Sequence, residues 1–351
     1  MSRQQRKIDH IDHALQVSLQ QSSGFSDVHI VHQPLPETDV ASVDLSVELG
    51  ELSFSSPFYI NAMTGGGGER TEKLNGDLAE VARELDIPIA VGSQMAALKN
   101  DSERSTYKVI RDRCPNGIVF ANVGSEATVD QARASIDMIE ANALQVHLNV
   151  IQELVMPEGD RTFTGTIKKV ESIVQSTDVP VIVKEVGFGI NREAARQLAE
   201  VGVSVIDVAG SGGTNFAEIE NRRRKDPYTH FENWGIPTAV SVAEVASEQL
   251  PVSLVASGGI RDSLDIIKSI TLGADAVAMA GPVLKSVESN GVASTIEWLN
   301  HIREEMKMYM TALGAPTIHT LQKTPIVLSG FVHHWLQERG VDTKHYTQSS
   351  R

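Results

Sequence analysis

The sequence of 351 residues lacks the features that mark several common classes of protein. It has a single cysteine, Cys114, so no disulfide can form within the chain, as is typical of proteins from a reducing compartment. No apolar run reaches the length of a membrane span, and the polar, basic residues 1–7 do not resemble a signal peptide. We therefore expect a cytoplasmic protein that does not act at a membrane.

Basic and aromatic residues are scarce as well. Lys and Arg number 31 against 45 Asp and Glu, and the formal net charge of −14 leaves no general cationic face for a nucleic-acid partner. The net charge does not exclude a small phosphorylated ligand. Electrostatic screening over about 10 Å lets a few local cations outweigh distant carboxylates. Aromatic residues make up only 5% of the chain, so the core must consist mainly of Val, Ile, Leu and Ala, which suits parallel strands covered by helices.

Short apolar runs rich in β-branched residues recur along the chain, with amphipathic stretches between them. Each run is typical of a buried parallel strand. Eight such units in series predict an α/β fold, a closed (β/α)8 TIM barrel, with an open doubly wound sheet as the alternative. The runs are 58–62, 88–92, 117–122, 144–149, 180–185, 203–208, 252–256 and 275–280.

We expect a single barrel domain over residues 1–351, with additions at both ends of the barrel. The N-terminal extension is predicted at 1–56, the barrel core at 57–290 and a C-terminal helical segment at 291–351.

Both additions contain recognisable local patterns. In the extension, 28–31 and 43–47 resemble short strands that plug the lower end of the barrel. In the C-terminal segment, 294–313 and 321–339 are predicted to be helical.

Small and polar residues gather where the predicted strands end, which is where barrel enzymes place their active sites. The seventh and eighth runs end in Gly258-Gly259 and Ala280-Gly281, each just before a predicted helix. Missing side chains let backbone N–H groups approach an anion at a helix N-terminus. Two adjacent units with this pattern predict a phosphate site, and glycines that merely end strands are the alternative.

Lys184 ends the fifth apolar run. A lysine buried in such surroundings needs a partner, since otherwise it loses its proton. At the rim it would face the N1–C2=O edge of a flavin and stabilise the negative charge that gathers there on reduction. A structural ion pair with Glu185 or Asp207 is the alternative.

Asn149, Gln152 and Glu153 form a polar cluster after the fourth run. One carboxylate together with phosphate oxygens of a ligand is a common way to hold Mg²⁺, whereas a helix-initiating Glu in a solvated turn is the alternative. The histidine pairs His10/His13 and His333/His334 have no partner ligands at metal spacing.

Two basic clusters have simple interpretations in isolation. Arg6-Lys7 is typical of a solvated pair near a terminus. The run 222–225, within a polar insertion at 211–238, is interpreted as a solvated loop face.

Taken together, a series of short motifs resembles the type 2 isopentenyl-diphosphate isomerases, the flavin-dependent class. The resemblance spans the chain from Arg6 to about Gly314, and the joint order and spacing are far more specific than any one motif. The motifs are Arg6-Lys7 with Asp9-His10-Ile11, Asn61-Ala62-Met63-Thr64-Gly65-Gly66, Gly92-Ser93-Gln94, His147-Leu148-Asn149 with Gln152-Glu153-Leu154, Met156 to Arg161, Val183-Lys184-Glu185-Val186-Gly187, Gly212-Gly213-Thr214, Trp234 to Thr238, and Ser257-Gly258-Gly259-Ile260-Arg261.

The resemblance implies a flavin mononucleotide, FMN, at the rim of the barrel and assigns roles to residues of this chain. Gln152, His147 and Asn149 are the implied catalytic residues, and Glu153 is the implied Mg²⁺ ligand. The implied FMN-binding residues are Ala62, Met63, Thr64, Ser93, Asn122, Lys184, Thr214, Gly258, Gly259, Ile260, Ala280 and Gly281. The implied substrate-binding residues are Arg6, Lys7, His10, Ser93, Gln94, Met95 and Gln152.

The implied reaction converts isopentenyl diphosphate to dimethylallyl diphosphate in isoprenoid biosynthesis. Reduced FMN would act as acid and base, with NADPH as the reductant, in a homo-oligomer that is a tetramer or an octamer. The chain departs from the family pattern at Met95, where an Arg is usual, and at Val150, where a proline is common. The first departure removes one cation from the diphosphate site.

Two other functions fit parts of the same pattern. An FMN-dependent 2-hydroxy-acid oxidase or dehydrogenase uses the same barrel, but its chemistry needs a histidine base after the seventh strand, where 256–261 has none. A non-catalytic flavin-binding regulator would have no use for the polar cluster of His147, Asn149, Gln152 and Glu153.

Overall fold

The computed structural model describes residues 22–348. Arg6, Lys7 and His10 lie outside the described residues, so their roles stay predictions.

Eight parallel strands close into a barrel, which confirms the predicted fold and rules out the open sheet. The strands pair in chain order, and the last barrel strand closes the ring by pairing with the first. Each strand falls on one of the eight apolar runs and is mostly shorter than its run. They are β4 Phe58–Ile60, β5 Ile89–Ala90, β6 Val119–Gly124, β7 Ala143–His147, β8 Val181–Lys184, β9 Val205–Asp207, β10 Ser253–Ser257 and β11 Ala276–Met279.

Helices connect the strands and cover the barrel. Where sequence signals mark a helix start, the structure follows them: the side chains of Asn191 and Asp262 accept hydrogen bonds from the backbone N–H groups of Ala194 and Asp265. Among the described residues, no helix combines the length and apolarity needed to cross a membrane. The helices are α1 Glu69–Leu85, α2 Met95–Lys99, α3 Ser105–Arg113, α4 Val129–Ile139, α5 Val150–Val155, α6 Thr166–Val174, α7 Arg192–Glu200, α8 Phe216–Asn221, α9 Thr238–Ala246, α10 Ser263–Thr271, α11 Gly281–Ala312, α12 Ile318–Gln322 and α13 Gly330–Glu338.

A hairpin of β2 (Val47–Leu49) and β3 (Leu52–Phe54) closes the N-terminal end of the barrel. Leu49 and Phe54 are buried and belong to one apolar cluster with inward-facing residues of the barrel strands. A plug strand was predicted at 43–47. In the structure 43–46 has no regular secondary structure, and the first strand of the plug begins at Val47.

The other predicted strand of the extension does not plug the barrel. It is β1 (Val28–Ile30), which pairs antiparallel with β12 (Ile326–Leu328) near the C-terminus. The prediction of one helix over 321–339 is therefore wrong. The segment contains the end of α12, strand β12 and α13, because pairing with β1 holds its middle in an extended conformation.

Helix α11 serves both as the eighth helix of the barrel and as the start of the C-terminal segment. It bends at Gly291, whose φ of 81° is open to glycine and costly for other residues. The kink coincides with the predicted boundary at 290/291.

Candidate active site at the C-terminal rim of the barrel

A cavity of about 450 Å³ opens at the C-terminal ends of the barrel strands. All of the implied FMN-binding residues line it, and so do the implied substrate, catalytic and metal residues Met95, His147, Asn149, Gln152 and Glu153. Contributions come from every strand end of the barrel, which is how this fold assembles a site.

Backbone amides at the ends of β10 and β11 form an anion-binding cradle. The N–H groups of Gly258, Gly259 and Ile260 make no hydrogen bond to any described residue and lie at the cavity. The glycines are required by packing, since a Cβ on Gly258 would stand 2.1 Å from the carbonyl oxygen of Gly210. The cradle faces the N-terminus of α11, so free N–H groups and the helix dipole favour a phosphate there.

Lys184 lies at the end of β8 with only 6% of its surface exposed. Its Nζ donates a hydrogen bond to the backbone oxygen of Glu185 at 2.7 Å, and no ion pair joins it to Glu185 or Asp207 among the described residues. Burial lowers the pKa of Lys184, while the charges of Asp207 and Glu185 oppose that shift. Hence the structural ion pair is not formed, and the ammonium group is available to a ligand.

The neighbouring Glu185 carboxylate shapes the loop that follows. Its Oε2 accepts hydrogen bonds from the backbone N–H groups of Val186, Gly187 and Phe188. Burial raises the pKa of Glu185 to about 7 against the effect of these bonds. Val186 and Gly187 in turn line the cavity.

The polar cluster after β7 lies beside Lys184, because β7 and β8 are neighbours in the barrel. The Glu153 carboxylate accepts hydrogen bonds from Asn149 Nδ2 at 2.9 Å and from the backbone N–H of Asp160 at 2.8 Å. It is only partly buried, and desolvation raises its pKa. Among the described residues, no group of three or more His, Cys, Asp or Glu could hold a metal ion, so Glu153 would need ligand oxygens to complete a Mg²⁺ site.

Gln152 sits between this cluster and a buried acid. Its Nε2 lies 3.5 Å from Oε1 of Glu220, and its Oε1 lies 3.4 Å from Nδ2 of Asn149. Glu220 is fully buried and paired with Arg223. These contacts are long, so they orient the Gln152 amide loosely toward the cavity.

A chain of hydrogen-bonded amides runs along the floor of the cavity from β7 to β9. Asn122 Oδ1 contacts Nδ1 of His147 at 2.9 Å, and Asn122 Nδ2 donates to Oε1 of Gln145 at 3.1 Å. Gln145 Nε2 donates to Oδ1 of Asn61 at 3.1 Å, and Asn61 Nδ2 donates to Oδ2 of Asp207 at 2.8 Å. One end of this chain is therefore a cavity residue and the other is a buried carboxylate.

Two sequence interpretations need correction. The Gln94 side chain is fully buried and does not line the cavity; it accepts from the Asn122 N–H and donates to the Ser135 carbonyl, so it positions Asn122 instead of meeting a ligand.

The run 222–225 is a solvated loop face only at Arg222 and Lys225, which are exposed. Arg223 forms ion pairs with Glu158 and Glu220, and its side chain is only 13% exposed. Arg224 donates to the Val155 carbonyl and stacks over the Tyr228 ring. These arginines tie the insertion to the loop after β7 and so close one side of the cavity.

Sequence reasoning missed several cavity residues. Glu126 lies in a turn, Phe216 begins the short helix α8, and Lys285 is part of an ordinary helical pattern, so none of them carried a local signal for the cavity. Asn61 belongs to the motif 61–66, but no role was predicted for it. Its position at the end of a barrel strand was the available signal.

The cavity fits FMN on its own chemistry. The free amides of 258–260 suit one phosphate, and Lys184 is a buried cation placed for an electron-rich ring edge. The phosphate position after β10 and the ring position at β8 lie on the same rim of the barrel, as the two parts of one mononucleotide require.

Comparison with known proteins agrees with this geometry. A family model for FMN-dependent dehydrogenases matches residues 121–328. The chain is 54% identical to an isopentenyl-diphosphate delta-isomerase of Geobacillus sp. (strain WCH70), covering 99% of each. It is 51% identical to the protein of that name from Bacillus pumilus (strain SAFR-032), covering 99% of this chain and 98% of the relative.

Solved structures support the fold at much lower sequence identity. A mandelate oxidase variant with an FMN adduct superposes with a TM-score of 0.63 at 16% identity, covering 92% of each chain. A flavocytochrome b2 variant with sulfite bound superposes with a TM-score of 0.67 at 19% identity, covering 88% of this chain and 78% of the other. Full-length identity above one half, joined to this cavity, shows that the chain belongs to the FMN-dependent isopentenyl-diphosphate delta-isomerase family.

Proposed function

We propose that this protein converts isopentenyl diphosphate to dimethylallyl diphosphate with FMN as its resident cofactor. One observation carries the proposal: the residues expected for the flavin, the reacting carbons and the metal line a single cavity in a chain of this family. An unactivated alkene is a poor base, so its protonation needs a strong acid or a well-stabilised cation. When bound and reduced, FMN would supply an acid–base group for this step.

The residues at the glycine-rich end of the cavity hold the cofactor. The backbone N–H groups of 258–260 bind its phosphate, together with 280–281 and Thr214. Lys184 faces the ring and stabilises negative charge there. The remaining contacts to the ring come from Ala62, Met63, Thr64, Ser93 and Asn122.

The residues around the polar cluster after β7 hold the substrate. Glu153, together with diphosphate oxygens of the substrate, would hold one Mg²⁺. Gln152, with His147 and Asn149, lies beside the reacting carbons and excludes water from them. Ser93 and Met95 line the diphosphate side, where Arg6, Lys7 and His10 supply the cationic contacts that Met95 cannot.

Three further features belong to the proposal. NADPH reduces the flavin before the first turnover, the protein acts in the cytoplasm, and it assembles as a homo-oligomer, either a tetramer or an octamer. A subunit contact, or a fold of the chain over the cavity mouth, would bring Arg6 and Lys7 to the substrate.

Oxidation of a 2-hydroxy acid is the competing function, since the similar solved structures include a mandelate oxidase. That chemistry needs a histidine base after the seventh barrel strand. In this chain β10 is followed by Gly258-Gly259-Ile260-Arg261, and the histidine found at a barrel strand end, His147, is the last residue of β7, three strands away around the ring.

The test is a product assay on the purified chain under nitrogen, with FMN, NADPH, Mg²⁺ and isopentenyl diphosphate. The released chromophore should be FMN, and the allylic isomer should form. Recovery of FAD, or oxidation of mandelate or lactate without isomerisation, would contradict the proposal.

A further inference from the structure

Helix α5, which carries Gln152 and Glu153 at the cavity, ends just before a proline. In a continuing helix the carbonyl oxygen of Glu153 would accept a hydrogen bond from the backbone N–H four residues later, but that residue is Pro157, which has no N–H. Arg161 supplies the missing donor, since its Nη1 lies 2.5 Å from the Glu153 carbonyl oxygen. The backbone of the residue that offers its carboxylate to the cavity is therefore held by an arginine further along the chain.

The same guanidinium binds the loop that follows the helix. Its Nη1 also donates to the carbonyl oxygens of Gly159 at 2.6 Å and Asp160 at 3.0 Å, and its Nη2 donates to that of Met156 at 2.8 Å. Among the described residues no carboxylate pairs with Arg161, so its bonds there all go to backbone carbonyls. A guanidinium holds its donors in one rigid plane, which lets a single side chain join the helix end to the loop.

The loop in turn orients the Glu153 carboxylate. Its Oε2 accepts a hydrogen bond from the backbone N–H of Asp160 at 2.8 Å, and its Oε1 accepts one from Asn149 at 2.9 Å. Gly159 packs closely on the same residue, because a Cβ there would stand 2.1 Å from the carbonyl oxygen of Glu153. One of the two bonds that orient the carboxylate therefore comes from a loop whose position Arg161 sets.

We propose that Arg161 is a positioning residue for the divalent-cation site, because it holds the Asp160 N–H against the Glu153 carboxylate and so fixes the direction of that carboxylate at the cavity. The inference rests on the proposed function, in which Glu153 and the substrate diphosphate share one Mg²⁺. Loss of a group that orients a metal ligand typically costs about 10–100-fold in metal affinity. Arg161 acts through the backbone, since its guanidinium contacts the carbonyl oxygen of Glu153.

Four variants separate this role from a general loss of stability. Arg161→Met keeps an unbranched side chain and removes all of these hydrogen bonds. Gly159→Ala leaves the arginine in place and pushes the loop away from the Glu153 carbonyl oxygen, and Glu153→Gln marks the loss of the charged ligand itself. Arg111→Met is the matched control, because Arg111 also donates to several backbone carbonyls, among them that of Gly117 just before β6, at the N-terminal end of the barrel.

The measurement is the dissociation constant of isopentenyl diphosphate for the full-length, FMN-loaded protein, by calorimetry with MgCl₂ and again with EDTA. No reductant is present, so the substrate is not turned over and the readout does not depend on activity. In the wild type and Arg111→Met, removal of Mg²⁺ should weaken binding about tenfold or more, the size of a charge-assisted contact. In Arg161→Met, and in Gly159→Ala, that factor should fall to about one, as in Glu153→Gln, because the cation is bound about tenfold more weakly.

The outcomes distinguish this inference from the proposed function beneath it. A folded, FMN-loaded Arg161→Met protein that keeps the wild-type Mg²⁺ dependence would overturn the inference, and Gly159→Ala decides in the same way if the first variant does not fold. An equal loss in Arg111→Met would also overturn it, since lowered stability would then be the cause. A wild type that is indifferent to Mg²⁺, or a Glu153→Gln protein that keeps the full dependence, would instead contradict the proposed cation site and with it the role of Arg161.

Discussion

The two ends of the barrel are built on the same eight strands and differ in nearly every physical property. At the N-terminal end, Leu49 and Phe54 of the hairpin pack on Tyr59 and Phe120 in an apolar cluster without solvent access. At the C-terminal end the strands stop at amides, glycines and a buried lysine around an open cavity. The N-terminal end stabilises the barrel through buried apolar side chains. The C-terminal end carries polar groups that are arranged to bind a ligand.

The largest energetic effect should come from a substitution at the apolar, N-terminal end of the barrel, which should lower the free energy of unfolding. Phe54→Ala removes an aromatic ring from the plug and should lower the free energy of unfolding by about 3–5 kcal/mol. Denaturant unfolding of the FMN-loaded protein measures it, with Phe54→Leu as the smaller-cavity control. Turnover per folded molecule should stay close to wild type. A variant of full stability with impaired turnover would mean that the two ends are not separable.

Loss of a cation from the diphosphate side should have the next largest effect. Arg6→Ala and Lys7→Ala should each weaken substrate binding by roughly 1.5–3 kcal/mol, the size of a charge-assisted contact, so the KM should rise about tenfold or more. Flavin content should not change. Arg3→Ala removes a nearby charge of the same kind and serves as the control. Equal KM values for the wild type and the three variants would mean that Arg6 and Lys7 do not contact the substrate and form a solvated pair.

Lys184→Ala should have a smaller effect that appears only when the flavin is reduced. The ammonium group stabilises negative charge on the ring, so its removal should lower the midpoint potential by about 30 mV, or about 1.4 kcal/mol for a two-electron couple. Lys285→Ala, at an exposed lysine of the cavity rim, should shift it less. An unchanged potential in a folded Lys184→Ala protein would make the lysine structural.

The sequence predicts the barrel well because its signals are local. Eight apolar runs mark eight strands, and the side chain of Asn191 caps the helix that begins directly after it. The glycines at 258–259 needed only their own positions in the chain to indicate a phosphate site.

The predictions that were wrong all concern residues whose contacts are made with residues far away in the chain. Strand β12 exists because β1 pairs with it, with Val28 opposite Leu328. Arg223 is largely buried because it forms an ion pair with Glu158. Gln94 points into the core because its side chain hydrogen-bonds to the backbone groups of Asn122 and Ser135. No periodicity within a short window carries that information.

The Asn61–Asp207 contact shows the same limit inside the active site. Both residues stand at strand ends in the sequence, yet only closure of the barrel brings the ends of β4 and β9 within hydrogen-bonding distance. Predicting which residues line the cavity was therefore possible, whereas predicting how they are hydrogen-bonded was not.

The central claim is that the polar end of the barrel moves a double bond without net oxidation. Its most direct test is the ratio of dimethylallyl diphosphate formed to NADPH consumed under nitrogen, in deuterated solvent. Substrate and product have the same oxidation state, so one reduction of the flavin should support many turnovers, and solvent deuterium should enter the product. Consumption of one NADPH for each product molecule would contradict the account and make the protein an oxidoreductase.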